Sequence, residues 1–176
     1  MKNAPLLLIG LAFLVLTLST SHQGFAQISN YKAYAIFIYN FTKYTNYPQE
    51  NSTGDFVITV LGKSKITEEL NLMAAQKNIN GRKIIVNEVL EVSHIKDAHL
   101  VFVSSGKSGA LDDLKVHIRQ SPIMIVTERD GLVKKGAHLS FVALENQSLR
   151  FEANHEALEF NRLNMSKSIL ALAYKE

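Results

Sequence analysis

The chain has 176 residues, 47% apolar and 20% charged, with 19 basic and 16 acidic side chains, a formal net charge of +3 and no cysteine. Charge this balanced and dispersed argues against a nucleic-acid footprint, which needs a clustered basic face. The missing cysteine excludes thiol catalysis, thiolate metal sites, disulfide staples and thiol redox control.

The chain opens as an export signal. Lys2 is followed by an apolar run from Pro5 to Leu18, a polar stretch from Ser19 to Gln23, and Gly24-Phe25-Ala26 with small residues at the −3 and −1 positions of a cleavage site. The expected organisation is a signal peptide over 1–26, cut before Gln27, and one domain over 27–176. The competing reading is an uncleaved anchor, but the run is shorter than the roughly 20 residues that span a bilayer. No later segment is apolar enough to span, so no stable membrane insertion is expected after cleavage. The leader carries only Lys2, so 18 basic and 16 acidic residues remain.

Ser29 or Asn30 can cap a first helix running to about Thr45. Tyr34, Phe37, Ile38, Phe41 and Tyr44 form its stripe at i, i+3, i+4, i+7 spacing. Tyr31, Ala35 and Tyr39 widen that stripe, and Pro48 stops the helix. Short Val- and Ile-rich strands follow at 56–61, 83–86 (extending toward Leu90), 99–104 and 123–127. Helices are expected at 65–76 and 109–120, and turns at Asn80-Gly81 and Asp130-Gly131. Two alternating strands, 138–144 and 148–153, flank Asn146-Gln147 as a hairpin, and helices at 155–161 and 165–174 finish the chain. Met165, Ile169, Leu172 and Ala173 are expected to line the inner side of the last helix. Repeated β-α-β units predict an α/β fold: one domain, a mainly parallel sheet with helices on both faces, and the antiparallel hairpin at one edge.

Chemical motifs are sparse. Ser105, Gly106, Lys107 and Ser108 fall between a strand and a helix, where backbone N–H groups can hold an anion. A phosphate loop needs a glycine where Val101 stands. The histidines show no metal-ligand spacing. Asp112-Asp113 and Glu68-Glu69 are neighbours about 100° apart around a helix, so they do not form acid–base pairs. No enzyme activity, metal or cofactor is expected. In the strand 148–153, Arg150 faces away from Leu149 and Phe151, and Asn154 is placed to cap the next helix. Arg150 reads either as a surface ion-pair partner or as a contact for a ligand or partner.

Several stretches together resemble the YfiR-like family of periplasmic proteins. Ala35 to Pro48 is similar to its aromatic first helix, with Phe37, Tyr39, Asn40, Phe41, Lys43, Tyr44 and Pro48 in place. Val57 to Gly62, Gly81-Arg82-Lys83-Ile84, Ala98 to Ser104 and Leu149-Arg150-Phe151-Glu152-Ala153-Asn154 match in order. Tyr47 stands where the family usually has tryptophan, and Ala98 where a cysteine is common. The resemblance implies a regulator that restrains a membrane-bound diguanylate cyclase by binding its periplasmic sensor domain. It also implies an OmpA-like lipoprotein as a second partner. The alternative is a small-ligand module reporting to a sensor histidine kinase. Lys43, Tyr47 and Arg150 are the expected partner contacts. Asn40, Phe41, Tyr44, Pro48, Phe151 and Asn154 are expected to serve the architecture.

Overall fold

The computed structural model describes residues 23–144 and 148–174. The expected leader up to residue 22 and the Asn146-Gln147 turn lie outside them. The helices are α1 (Gln23–Lys43), α2 (Ile66–Ala74), α3 (Leu111–Ile118), α4 (His155–Phe160) and α5 (Lys167–Leu170). The strands are β1 (Thr45–Asn46), β2 (Phe56–Leu61), β3 (Asn78–Ile79), β4 (Arg82–Val89), β5 (Leu100–Val103), β6 (Met124–Thr127), β7 (Leu139–Ala143), β8 (Leu149–Ala153) and β9 (Asn164–Met165).

Seven strands form one sheet in the order β3-β4-β2-β5-β6-β7-β8. The five from β4 to β7 are parallel, and the edge pairs β3–β4 and β7–β8 are antiparallel. This is the expected fold: an α/β domain, a mainly parallel sheet covered on both faces, and the C-terminal hairpin at one edge. The central parallel strands β5 and β6 are short and buried on both sides, which is why they read as nearly unbroken apolar runs. Asn80 and Gly81, with φ of 53° and 81°, make the two-residue turn that pairs Ile79 with Arg82. Both residues need left-handed backbone there, and Asn-Gly supplies it.

Alternate residues of each strand feed two cores. Phe56, Ile58, Val60, Leu100, Phe102, Phe141 and Phe151 join α1, α2 and α4 on one face. Leu61, Val101, Val103 and Ile125 join α3 on the other. The first core is aromatic: Tyr34 stacks on Phe141 at 4.2 Å and Phe41 meets Phe151 edge-on at 4.8 Å. Each such pair contributes about 0.5–1.5 kcal/mol beyond the area it buries.

Five expectations are corrected. Helix α1 begins upstream of Ser29 and Asn30, so neither caps it. Its buried stripe is Tyr31, Tyr34, Ala35, Ile38 and Phe41, whereas Tyr44 is 44% exposed, because the helix ends at Lys43 and the chain turns into β1. Met165 is not helical: with Asn164 it forms β9 and pairs with Thr45 and Asn46, and this mini-sheet ties the end of α1 to the C-terminal region. Leu172 is 64% exposed because α5 ends at Leu170. Before α3, residues Ser105–Ala110 wind as a 3₁₀ helix rather than starting the α-helix at 109.

Candidate functional site

Counting only the parallel strands, the chain reverses direction of winding between β2 and β5. In open α/β sheets the crevice beyond the strand ends at such a reversal is where ligands bind. Here the crevice is filled from within. Gly62, at φ 91°, lets the segment after β5 pass so closely that an added Cβ would collide with Ser104 Oγ and lie 2.6 Å from Lys107 Cγ. Ser104 Oγ donates to the Leu61 carbonyl at 2.9 Å. The N–H of Ser105 donates to the Glu128 carboxylate at 2.7 Å, and the Tyr31 hydroxyl donates to the same carboxylate at 2.9 Å. Lys107 Nζ pairs with Glu91 at 3.3 Å, and Ser108 Oγ donates to the Ser105 carbonyl. The Ser105 N–H at the start of this turn is therefore engaged by the protein's own Glu128. Beside it, burial, Glu128 and Tyr31 push the Tyr34 phenol up to about 12.

A second polar cluster sits at the other end of the strands. Arg82 Nε donates to Gly54 O at 2.7 Å, Nη1 to Asn51 O at 2.7 Å, and Nη2 to Thr53 O and Asp55 O at 3.0 and 2.8 Å. One guanidinium thus holds the whole 51–55 loop, with its carbon 5.3 Å from the Phe56 ring centre. His99 Nδ1 accepts the Val57 N–H at 3.1 Å while His99 N–H donates to Val57 O at 2.9 Å. The neutral ring then carries its proton on Nε2, which serves the Asn51 carbonyl and lies 2.8 Å from Arg82 Nη2. Burial, followed by the neighbouring Arg82 charge, lowers the His99 pKa to about 4.

The same device recurs at His138. Its Nδ1 accepts the Ile125 N–H at 2.7 Å and its own N–H donates to Ile125 O at 3.2 Å. Its Nε2–H donates to Asn161 Oδ1 at 3.0 Å, and Asn161 Nδ2 donates to Arg119 O and Ser121 O at 2.8 and 2.7 Å. Burial lowers this histidine's pKa to about 4. Among the described residues no group of three or more His, Cys, Asp or Glu side chains could hold a metal ion.

The expected partner contacts are not brought together. The Tyr47 ring lies edge-on to Phe56 at 5.4 Å and to His99 at 6.2 Å. Its hydroxyl is buried without a partner among the described residues, and burial raises its pKa. Lys43 is exposed, its ammonium 5.4 Å from the Tyr44 ring centre. Arg150 is exposed on β8, opposite Val142 at the far end of the sheet and on the face away from Phe151. Asn40 Nδ2 donates back to the Ile36 carbonyl at 3.0 Å, and Pro48 leads into the 3₁₀ turn Gln49–Asn51. Phe41 and Phe151 are core. Asn154 Oδ1 accepts the Ala157 N–H at 2.9 Å, capping α4, and its Nδ2 donates to Val133 O at 2.9 Å. Between them, Glu152 accepts the Gly131 N–H at 3.1 Å. The Leu-Arg-Phe-Glu-Ala-Asn stretch thus contributes one core ring, one turn anchor and one helix cap, and leaves Arg150 outside.

Sequence reasoning did not single out Arg82 as the loop's holder, nor His99, His138, Asn161 or Glu128. One signal was present: Ala98-His99-Leu100 and Ala137-His138-Leu139 repeat the same tripeptide at the entrance to two strands.

These features define an α/β domain whose buried polar groups are largely engaged with its own backbone. The chain belongs to the YfiR/HmsC-like family, whose model matches residues 31–174. No curated protein matches it. A solved structure of a conserved domain protein from Vibrio cholerae O1 biovar El Tor is similar in fold, with a TM-score of 0.58 at 13% identity over 81% of this chain. The match spans 58% of that protein's length.

Proposed function

We propose that this protein is an exported periplasmic regulator, not an enzyme, that restrains a membrane-bound diguanylate cyclase by binding its periplasmic sensor domain. On this reading, residues 1–26 are a cleaved signal peptide, 27–176 form the working domain, and an OmpA-like lipoprotein competes for it. The observation that carries the reading is the family match across residues 31–174. The leader pattern supports export, and no described helix is long and apolar enough to cross a membrane. Lys43 and Arg150, both exposed, are the proposed contacts. Tyr47 would act by holding the Phe56–His99 corner rather than by touching the partner with its hydroxyl.

Deleting the gene in its native strain should raise cellular cyclic di-GMP and biofilm mass, and the unmodified gene should reverse both. An unchanged cyclic di-GMP level in cells that express the gene would overturn the cyclase reading.

A further inference from the structure

Strand β8 is an edge strand, and its hydrogen-bonding parity can be read from the bonds that bracket it. Leu144 N–H donates to Ser148 O at 3.0 Å and Asn154 N–H donates to His138 O at 2.8 Å. In the antiparallel register that pairs Phe141 with Phe151, the even-numbered residues of β8 therefore face β7. The backbone groups of Leu149, Phe151 and Ala153 point outward, away from the sheet. The last described residue of the chain supports this assignment: Tyr174 N–H donates to Phe151 O at 2.7 Å. Tyr174 thus covers the outer edge of β8 with one backbone bond, while the N–H groups of Ala171, Leu172 and Ala173 turn back to Lys167, Ile169 and Leu170. The outward N–H groups of Leu149, Phe151 and Ala153 have no partner among the described residues. An edge of this kind is a template for an added strand unless something blocks it.

The side chains on the edge set its preference. Arg150 is exposed, and its one hydrogen bond among the described residues is to the carbonyl of its neighbour Leu149 at 3.3 Å. Glu152, the other residue on that face, is buried and holds Gly131. Among the described residues, the exposed charge of β8 is therefore the Arg150 cation, with no carboxylate paired to it. On the opposite face the edge is apolar: Leu149 and Ala173 are half-buried against the aromatic core.

We propose that the outer edge of β8 is a docking site for an extended segment of a partner protein, and that Tyr174 covers this edge at Phe151 in the free chain. The segment adds to the sheet as an eighth strand, with apolar side chains on the Phe151 face and acidic ones beside Arg150. Main-chain hydrogen bonds supply affinity and the alternating side chains supply selectivity. Full pairing needs Phe151 O, so the Tyr174 N–H must give way. The proposal deepens the regulator reading and rests on it for the identity of the partner, but its test uses purified protein alone.

The test uses the full mature chain and two fluorescein-labelled peptides read by anisotropy, one alternating valine with glutamate and one alternating valine with lysine. Tyr174→Pro removes the covering N–H and should tighten binding of the glutamate peptide by up to about tenfold, the worth of one net backbone hydrogen bond. Leu149→Pro removes an outward N–H that the fold does not use, and should abolish that binding with the melting temperature little changed. Arg150→Glu should reverse the preference between the two peptides. Amide exchange of Leu149, Phe151 and Ala153 in the unmodified chain should slow when the glutamate peptide is added, a readout that needs no variant to fold. Unchanged amide exchange, absence of peptide binding, or binding indifferent to Tyr174→Pro would overturn the docking site. A failed peptide test with raised cyclic di-GMP in the deletion strain removes only the edge. A successful one with unchanged cyclic di-GMP removes only the cyclase reading.

Discussion

His99 and His138 occupy equivalent positions, each just before a parallel strand, and each grips the N–H and C=O of one residue on the neighbouring strand. They differ in what meets the far nitrogen. At His138 it is Asn161, 5% exposed, whose amide accepts from the ring and donates to two carbonyls. At His99 it is Arg82, a fixed cation whose other bonds reach an exposed loop. An amide can present an acceptor to a neutral ring and leave nothing unpaired. A guanidinium has no acceptor to offer and tolerates the ring only while the ring is neutral. One local device is thus a static bolt in the interior and, at the rim, a joint sensitive to charge.

The largest expected effect breaks the interior bolt. Replacing Asn161 with leucine strips the His138 Nε2–H and the carbonyls of Arg119 and Ser121 of their partner at once. Each buried unsatisfied group costs about 1–3 kcal/mol, so Asn161→Leu should destabilise the domain by about 3–5 kcal/mol in urea denaturation. A loss below about 1 kcal/mol would mean that water reaches this site and that the two joints are alike.

The legibility of the chain follows the same division between local and distant partners. The short strands, the β7–β8 hairpin, the Asn80-Gly81 turn and the Asn154 cap were readable because their signals lie within a few consecutive residues. The β1–β9 pair was not, since two residues at each end of the domain carry no periodicity, and Met165 looked helical beside Ile169. Tyr44 falls on the helical stripe yet is exposed, because the helix ends one residue earlier. Arg82 and Asn161 act on partners 17 to 42 residues away in sequence, so their roles depend on the sheet order rather than on any local pattern. The Ser105 turn was correctly placed between strand and helix, but the carboxylate that engages the Ser105 N–H comes from β6's far end, 23 residues on.

Acid should act on both joints. Each folded-state histidine pKa is about 4, below the ordinary 6.5. The unfolded chain therefore binds more protons between pH 6.5 and 4, and stability falls as pH drops through that window. Above 6.5 both rings are neutral in either state and their contribution is complete. A shift of this size corresponds to about 3 kcal/mol for a fully buried ring, and to less at His99, where water can enter once the 51–55 loop moves. His138→Asn and His99→Asn, which keep an acceptor near the Nδ1 position, should each flatten the slope of stability against pH. His138→Asn should flatten it more. Equal slopes in both variants and the unmodified chain would show that other groups govern acid unfolding.

The smallest global effect should come from Arg82, despite its larger number of bonds. The carbonyls of Thr53, Gly54 and Asp55 belong to exposed residues, so water can replace the guanidinium when it is removed. Arg82→Met keeps the stem packed near Phe56, and it should cost about 1–2 kcal/mol, roughly what net hydrogen bonds to a charged donor are worth when solvent competes. It also relieves His99 of a neighbouring cation, so the His99 pKa should rise toward 6.5 when followed by NMR. Locally the change should be pronounced: amides of residues 51–55 should exchange faster and the loop should become the first site of proteolytic cleavage. If Arg82→Met destabilises the domain more than Asn161→Leu, or leaves the His99 pKa near 4, the rim is as closed as the interior.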